Sequence, residues 1–133
     1  AAWPVVVQPM VEPGVDLAVT VSGHPLVGPV VTVGPGGAAT GMGATAAHVL
    51  PLTDAEARRF VAGLPGEPLA DGLRERLEDL LLRVGALVEG VPELTGLELH
   101  PVIVSPGMAI VDAAVQVTPV ERNPLPPVRR VGA

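Results

Sequence analysis

Apolar residues recur along the chain at two spacings, and these spacings predict which segments are strands and which are helices. Short β-branched or alternating runs predict strands, because side chains alternate between the two faces of a sheet. The predicted strands are residues 5–11, 16–21, 29–33, 97–104 and 109–117. The last two are joined by a short Ser-Pro-Gly turn, which favours an antiparallel hairpin.

Two further segments have the three-to-four-residue apolar spacing of helices. The first is predicted over residues 53–62, where Thr53 and Glu56 form a capping-box pattern. The second is predicted over residues 71–89, with leucines and valines on one face and charged residues on the other. The order of elements predicts an α+β fold, a mainly antiparallel β-sheet with helices packed on one face. Residues 1–117 form the predicted domain, and residues 118–133 a tail that contains Pro and Arg.

Composition excludes several classes of protein. The chain has 133 residues, enough for one domain. Its 8 basic residues, all Arg, are outnumbered by 14 acidic ones, which argues against a nucleic-acid partner. Cysteine is absent, and no apolar run approaches the roughly 18 residues that span a membrane. We therefore expect a cytoplasmic protein with neither nucleic acid nor membrane as a partner.

A glycine-rich loop is the first candidate for chemistry. Residues 34–43 follow a predicted strand, and such a loop can direct backbone amides at phosphate oxygens. The loop matches neither the P-loop nor the dinucleotide fingerprint, so a flexible turn is the alternative interpretation.

The second candidate is a pair of side chains near the end of the chain. Glu98 and His100 are two residues apart, so a strand would place both on one face, where they could approach a metal. The other histidines, His24 and His48, stand alone in the sequence, and a structural or surface role is the simpler interpretation for them.

Four stretches of the chain, in order along it, carry a family resemblance. They are residues 6–37 (VVQPMVEPGVDLAVTVSGHPLVGPVVTVGPGG), 50–56 (LPLTDAE), 78–102 (EDLLLRVGALVEGVPELTGLELHPV) and the pair Asp112-Ala113. Together they resemble the ATP-grasp domain of ADP- or NDP-forming acyl-CoA synthetases over about residues 5–118. The resemblance implies the C-terminal half of an ATP-grasp fold, with Mg²⁺ and ATP or ADP as cofactors.

The resemblance also implies site residues and partners. It places the nucleotide at Gln8, Met10, Val11, Asp16, Gly36 and Gly37, the metal at Glu98 and His100, and no catalytic residue on this chain. The partners it implies are the N-terminal ATP-grasp half and the CoA-ligase domains, on the parent protein or on another chain. An apolar face left for that half further predicts a homodimer. The first residue is Ala rather than Met, so we expect a chain that is processed, tagged and trimmed, or cut from something longer.

The chain departs from the family pattern at polar positions. Glu98 and His100 stand where the family has D-x-N, Gly96 replaces an acid, and Asp16 replaces a glutamate. Glu can hold Mg²⁺, whereas a histidine nitrogen suits zinc or copper better. These departures predict a degenerate nucleotide-binding subdomain that is not catalytic alone. The alternative is a non-catalytic interaction or oligomerisation module derived from an ATP-grasp fold.

Overall fold

The structure is a computed structural model, and it describes residues 2–39 and 41–120. The described residues form three strands, two α-helices and three more strands along the chain, with a one-turn 3-10 helix (Gly37–Ala39) between the second and third strands. The strands are β1 (Val15–His24), β2 (Gly28–Pro35), β3 (Ala46–Val49), β4 (Leu94–Val104), β5 (Ala109–Ile110) and β6 (Ala113–Val117), and the helices are α1 (Asp54–Ala62) and α2 (Asp71–Gly90).

All six strands belong to one sheet, in the order β3-β2-β1-β4-β5, with β6 also pairing with β4. Each strand pair is antiparallel. At the centre, Val19 of β1 lies opposite Val33 of β2 and Leu99 of β4. The predicted α+β class, with a mainly antiparallel sheet, is confirmed.

One face of the sheet is packed against both helices. Its inward valines and leucines meet the apolar faces of α1 and α2, and Leu77 and Leu81 of α2 are fully buried. The core comprises Val19, Val21, Val31, Val33, Leu50, Leu52, Ala57, Val61, Leu77, Leu80, Leu81, Val84, Leu97, Leu99, Val102 and Val104. The opposite face, which we call the open face, carries the alternate residues of the strands. These include Asp16, Ala18, Thr20, Ser22, Val30, Thr32, Gly34, Gly96, Glu98, His100, Ala114 and Gln116.

Both helices form where the sequence predicts them. The Thr53 hydroxyl accepts the Glu56 amide at 3.3 Å, and Glu56 Oε2 accepts the Thr53 amide at 2.8 Å, so the predicted capping box is present. Helix α2 starts at Asp71, as predicted, and ends one residue later than predicted. Among the described residues, neither helix is both long and apolar enough to cross a bilayer.

The predicted buried strand over residues 5–11 is wrong. This segment forms no strand, and its Val7 side chain is 92% exposed. An apolar run becomes a strand only when another strand pairs with it, and in the described part of the chain this segment has no such partner. A further strand, β3, was not predicted; it is short, contains alanine and lies at the edge of the sheet.

A β-bulge in β4 explains why the predicted strand over residues 109–117 is not continuous. His100 and Pro101 together lie opposite the single residue Ala18 of β1. On the other side of β4, His100 donates its amide to the Asp112 carbonyl at 3.1 Å, and the Val111 amide donates to the Pro101 carbonyl at 3.0 Å. The predicted continuous strand over residues 109–117 is therefore interrupted at Val111 and Asp112, opposite the bulge.

Candidate nucleotide site

The glycine loop after β2 begins by extending the sheet beside β1. The Gly36 amide donates to the Asp16 carbonyl at 2.9 Å. A Cβ placed on Gly36 would lie 2.6 Å from backbone atoms of Leu17, closer than real Cβ atoms come to backbone. The loop can run this close to β1 because residue 36 has no side chain.

Gly37 then brings the loop to the open face. Its φ of +59° lies in the left-handed region that favours glycine, and a Cβ there would lie 2.5 Å from Asp16 Oδ2. The Gly37 amide donates to His100 Nε2 at 3.1 Å. Because β1 lies between β2 and β4, this hydrogen bond spans the width of β1. Three predicted site residues, Asp16, Gly37 and His100, therefore come together.

Glu98 lies on the same face, further along β4. It is exposed, and it lies opposite Thr20 of β1 and Ala114 of β6. A shallow depression of about 160 Å³, lined in part by Glu98, Thr20 and Gln116, lies there. That volume is several times the roughly 30 Å³ that a water molecule occupies in the liquid.

Two polar groups at this depression were not predicted from the sequence. The Thr20 hydroxyl hydrogen-bonds the Thr32 hydroxyl on the neighbouring strand. Gln116 Oε1 lies 2.8 Å from the position that a Cβ on Gly96 would take. The period-two spacing of Asp16 and Thr20 in β1 is the sequence signal for Thr20. Gln116 gave no such signal, because its approach to Gly96 depends on how β6 pairs with β4.

The remaining predicted residues lie elsewhere. Gln8 and Met10 are exposed and Val11 is half-buried, all in the segment before β1, so their contact with a nucleotide stays a prediction. Two histidines lie outside the site. His24 accepts the Leu26 amide in the β1–β2 turn at 3.2 Å, and the ring of His48 packs edge-on against Phe60 at 5.7 Å.

The residues present fit Mg²⁺ that is bound together with phosphate. In the described ranges, no three His, Asp or Glu side chains are grouped closely enough to hold a metal by themselves. Mg²⁺ in nucleotide sites typically takes only one or two carboxylates and completes its shell with phosphate oxygens and water. Glu98, an exposed carboxylate beside an open depression, meets that requirement.

An antiparallel sheet with both helices packed on one face, and with the other face open, defines an α+β domain. The sequence model of the ATP-grasp domain family matches residues 2–117. The chain therefore belongs to the ATP-grasp domain family.

Two curated relatives show which kind of ATP-grasp protein this chain resembles. The chain is 34% identical over 119 residues to acetate–CoA ligase (ADP-forming) I of Archaeoglobus fulgidus, a match that covers 81% of this chain and 17% of that protein. It is 27% identical over 123 residues to the beta subunit of acetate–CoA ligase (ADP-forming) II of Pyrococcus furiosus, covering 84% of this chain and 52% of the subunit. The chain thus spans about half of one relative and less than a fifth of the other.

A solved structure gives the same result. The dinucleotide-forming acetyl-coenzyme A synthetase 1 of Ca. Korarchaeum cryptofilum, in complex with coenzyme A and Mg-AMPPCP, superimposes with a TM-score of 0.71 at 27% identity. The match covers 81% of this chain and 55% of that one. The predicted resemblance to ADP-forming acyl-CoA synthetases is confirmed in both sequence and structure.

Proposed function

We propose that this chain supplies part of a Mg²⁺–ATP or Mg²⁺–ADP site on its open face, as a subdomain of a protein that resembles ADP-forming acyl-CoA synthetases. The meeting of the glycine loop with Asp16 and His100 on that face carries the proposal. The Mg-AMPPCP complex of the Korarchaeum synthetase supports the choice of nucleotide.

Each proposed site residue has its own task. The Glu98 carboxylate holds Mg²⁺, whose charge offsets that of the phosphates. The Gly36 and Gly37 amides donate to the Asp16 carbonyl and to His100 Nε2, so this backbone and Asp16 place the glycine loop beside the phosphates. The exposed segment with Gln8, Met10 and Val11 contacts the base. In the larger protein, the reaction would interconvert acyl-CoA, phosphate and ADP with the free acid, CoA and ATP.

This chain alone is proposed to be inactive. It has no lysine or cysteine. The N-terminal ATP-grasp half and the CoA-ligase domains, on the parent protein or a partner chain, would complete the site. The name of the Pyrococcus relative, a beta subunit, supports a division of the enzyme into separate parts.

Calorimetric titration with Mg-ATP and Mg-ADP tests the proposal. We expect saturable binding to the wild-type chain, weakened at least tenfold, or about 1.4 kcal/mol, in Glu98→Ala. The matched control is Glu89→Ala, which removes an exposed glutamate from α2 and should bind as the wild type does. Absence of binding to a chain that is folded by circular dichroism would overturn the proposal.

One observation favours a second function, that of a non-catalytic interaction module. Exposed apolar side chains cluster in the segment before β1, where Trp3 is 89% exposed and Met10 is 95% exposed. Exposed apolar clusters of this kind mark contact surfaces. The same titration separates the two functions, since an interaction module would bind neither nucleotide.

A further inference from the structure

We propose that His100 is a positioning residue for the glycine loop, not a metal ligand. The proposal rests on the proposed function, in which that loop meets the nucleotide phosphates. Its basis is the 3.1 Å hydrogen bond from the Gly37 amide to His100 Nε2. This bond joins the loop that follows β2 to β4, two strands away in the sheet.

The chemistry of the imidazole fixes how this bond forms. A backbone N–H can only donate, so Nε2 of His100 must be the acceptor. The proton of the neutral ring therefore lies on Nδ1. A nitrogen lone pair that accepts this amide is not simultaneously available to a metal ion. His100 therefore either holds the loop through Nε2 or binds a metal through it, and the structure has the first arrangement.

The bulge in β4 supports a role for His100 outside the core. Leu97 and Leu99 are buried on one side of the bulge, and Val102 and Val104 on the other. With one residue fewer in the bulge, these four side chains would still alternate toward the core. The core therefore gains nothing from the extra residue. Bulges commonly redirect a side chain beside a functional site, and this one lies at the residue that reaches the loop.

Asp16 also limits where the Gly37 backbone can lie. A Cβ on Gly37 would lie 2.5 Å from Asp16 Oδ2, so the Gly37 backbone is close to this carboxylate as well as to the His100 ring. Two side chains from different strands thus set where the Gly37 backbone lies. Such a preformed loop would lose less conformational entropy when it binds an anion than a free glycine-rich segment would.

The first test needs no nucleotide. At pH 8, ¹⁵N-detected NMR of the full chain should show the His100 ring proton on Nδ1 and none on Nε2. Amide hydrogen exchange at Gly37 should be at least tenfold faster in His100→Leu, which removes the acceptor. It should stay within about threefold of wild type in His100→Gln, whose carbonyl oxygen can accept the same amide. Unchanged exchange in His100→Leu, or an Nε2-protonated ring, would overturn the proposal.

The second test distinguishes positioning from metal binding. ADP affinity is measured for the wild type, His100→Leu and His100→Gln, with Mg²⁺ and with EDTA. We expect His100→Leu to weaken ADP binding by the same factor in both conditions, and His100→Gln to restore it. A loss confined to the Mg²⁺ condition would identify a metal ligand and overturn the proposal, and so would unchanged ADP affinity in both. If the wild type binds no ADP, the proposed function fails, while the NMR experiment still decides whether His100 holds the loop.

Discussion

Two adjacent loop glycines are required for different physical reasons. Gly37 has a positive φ, a conformation that other residues adopt at a cost. Gly36 does not, and what it provides is space, because the Leu17 backbone occupies the volume that a side chain would need. A side-chain neighbour can rotate away from a new methyl group, whereas the backbone of a central strand cannot.

Gly36→Ala should therefore destabilise the fold by about 1–3 kcal/mol, the usual cost of overpacking. The control is Gly107→Ala in the turn after β4, where a Cβ meets nothing within 4 Å. Urea denaturation of both variants measures the difference. Equal stabilities of the two variants would show that the loop does not lie against β1 as described.

At the level of single residues, the sequence predicted which residues lie at the site better than it predicted which of them contact each other. Asp16, Gly37 and His100 were each selected, but their meeting depends on β1 separating β2 from β4 and on a bulge. The bulge shifts the buried alternation by one residue, from Leu97 and Leu99 to Val102 and Val104. The shift is hard to read in the sequence because Ile103, between the two valines, is apolar as well. Thr20 and Gln116 were missed because a polar residue in a strand is ordinary until its neighbours are known.

The helices were predictable because their signals are local. A capping box and a repeating apolar face lie within a few residues of each other. Strands depend on partners that are distant in sequence. For that reason residues 5–11 were wrongly assigned, β3 was missed, and the last predicted strand proved to be two.

The capping box of α1 makes the stability of the fold depend on pH. Hydrogen bonds from the backbone amide of Thr53, and then from its hydroxyl, hold the pKa of Glu56 below its ordinary value of 4.5. The folded state thus favours the carboxylate, and this stabilisation is complete above pH 4.5 and disappears as the pH falls through the lowered pKa.

Glu56→Gln keeps a hydrogen-bond acceptor but has no charge. The difference in unfolding free energy between wild type and Glu56→Gln should therefore shrink between pH 7 and pH 3 in urea titrations. A difference that is constant over this range would contradict the assignment.

For the whole molecule, the exposed apolar segment before β1 predicts self-association into a homodimer. Val5 is 85% exposed and Val7 is 92% exposed, and burial of a valine contributes about 1.5–3 kcal/mol. Val5→Asn/Val7→Asn should raise the dimer dissociation constant at least tenfold in sedimentation equilibrium.

The control for this experiment is Leu26→Asn in the β1–β2 turn, which removes an apolar side chain that is 88% exposed. It should leave the dissociation constant unchanged. A wild-type chain that stays monomeric at millimolar concentration would show that this segment serves a different partner or none.

The division of the sheet into a covered and an open face has a consequence for how this protein can change. Four residues that depart from the family pattern, Asp16, Gly96, Glu98 and His100, lie on strands at open-face positions. The side chains that hold the fold together point the other way. Evolution can therefore rewrite the ligand chemistry of such a domain by drift on one surface while folding is selected on the other. A laboratory library confined to the open face should yield mostly folded variants with altered nucleotide affinity.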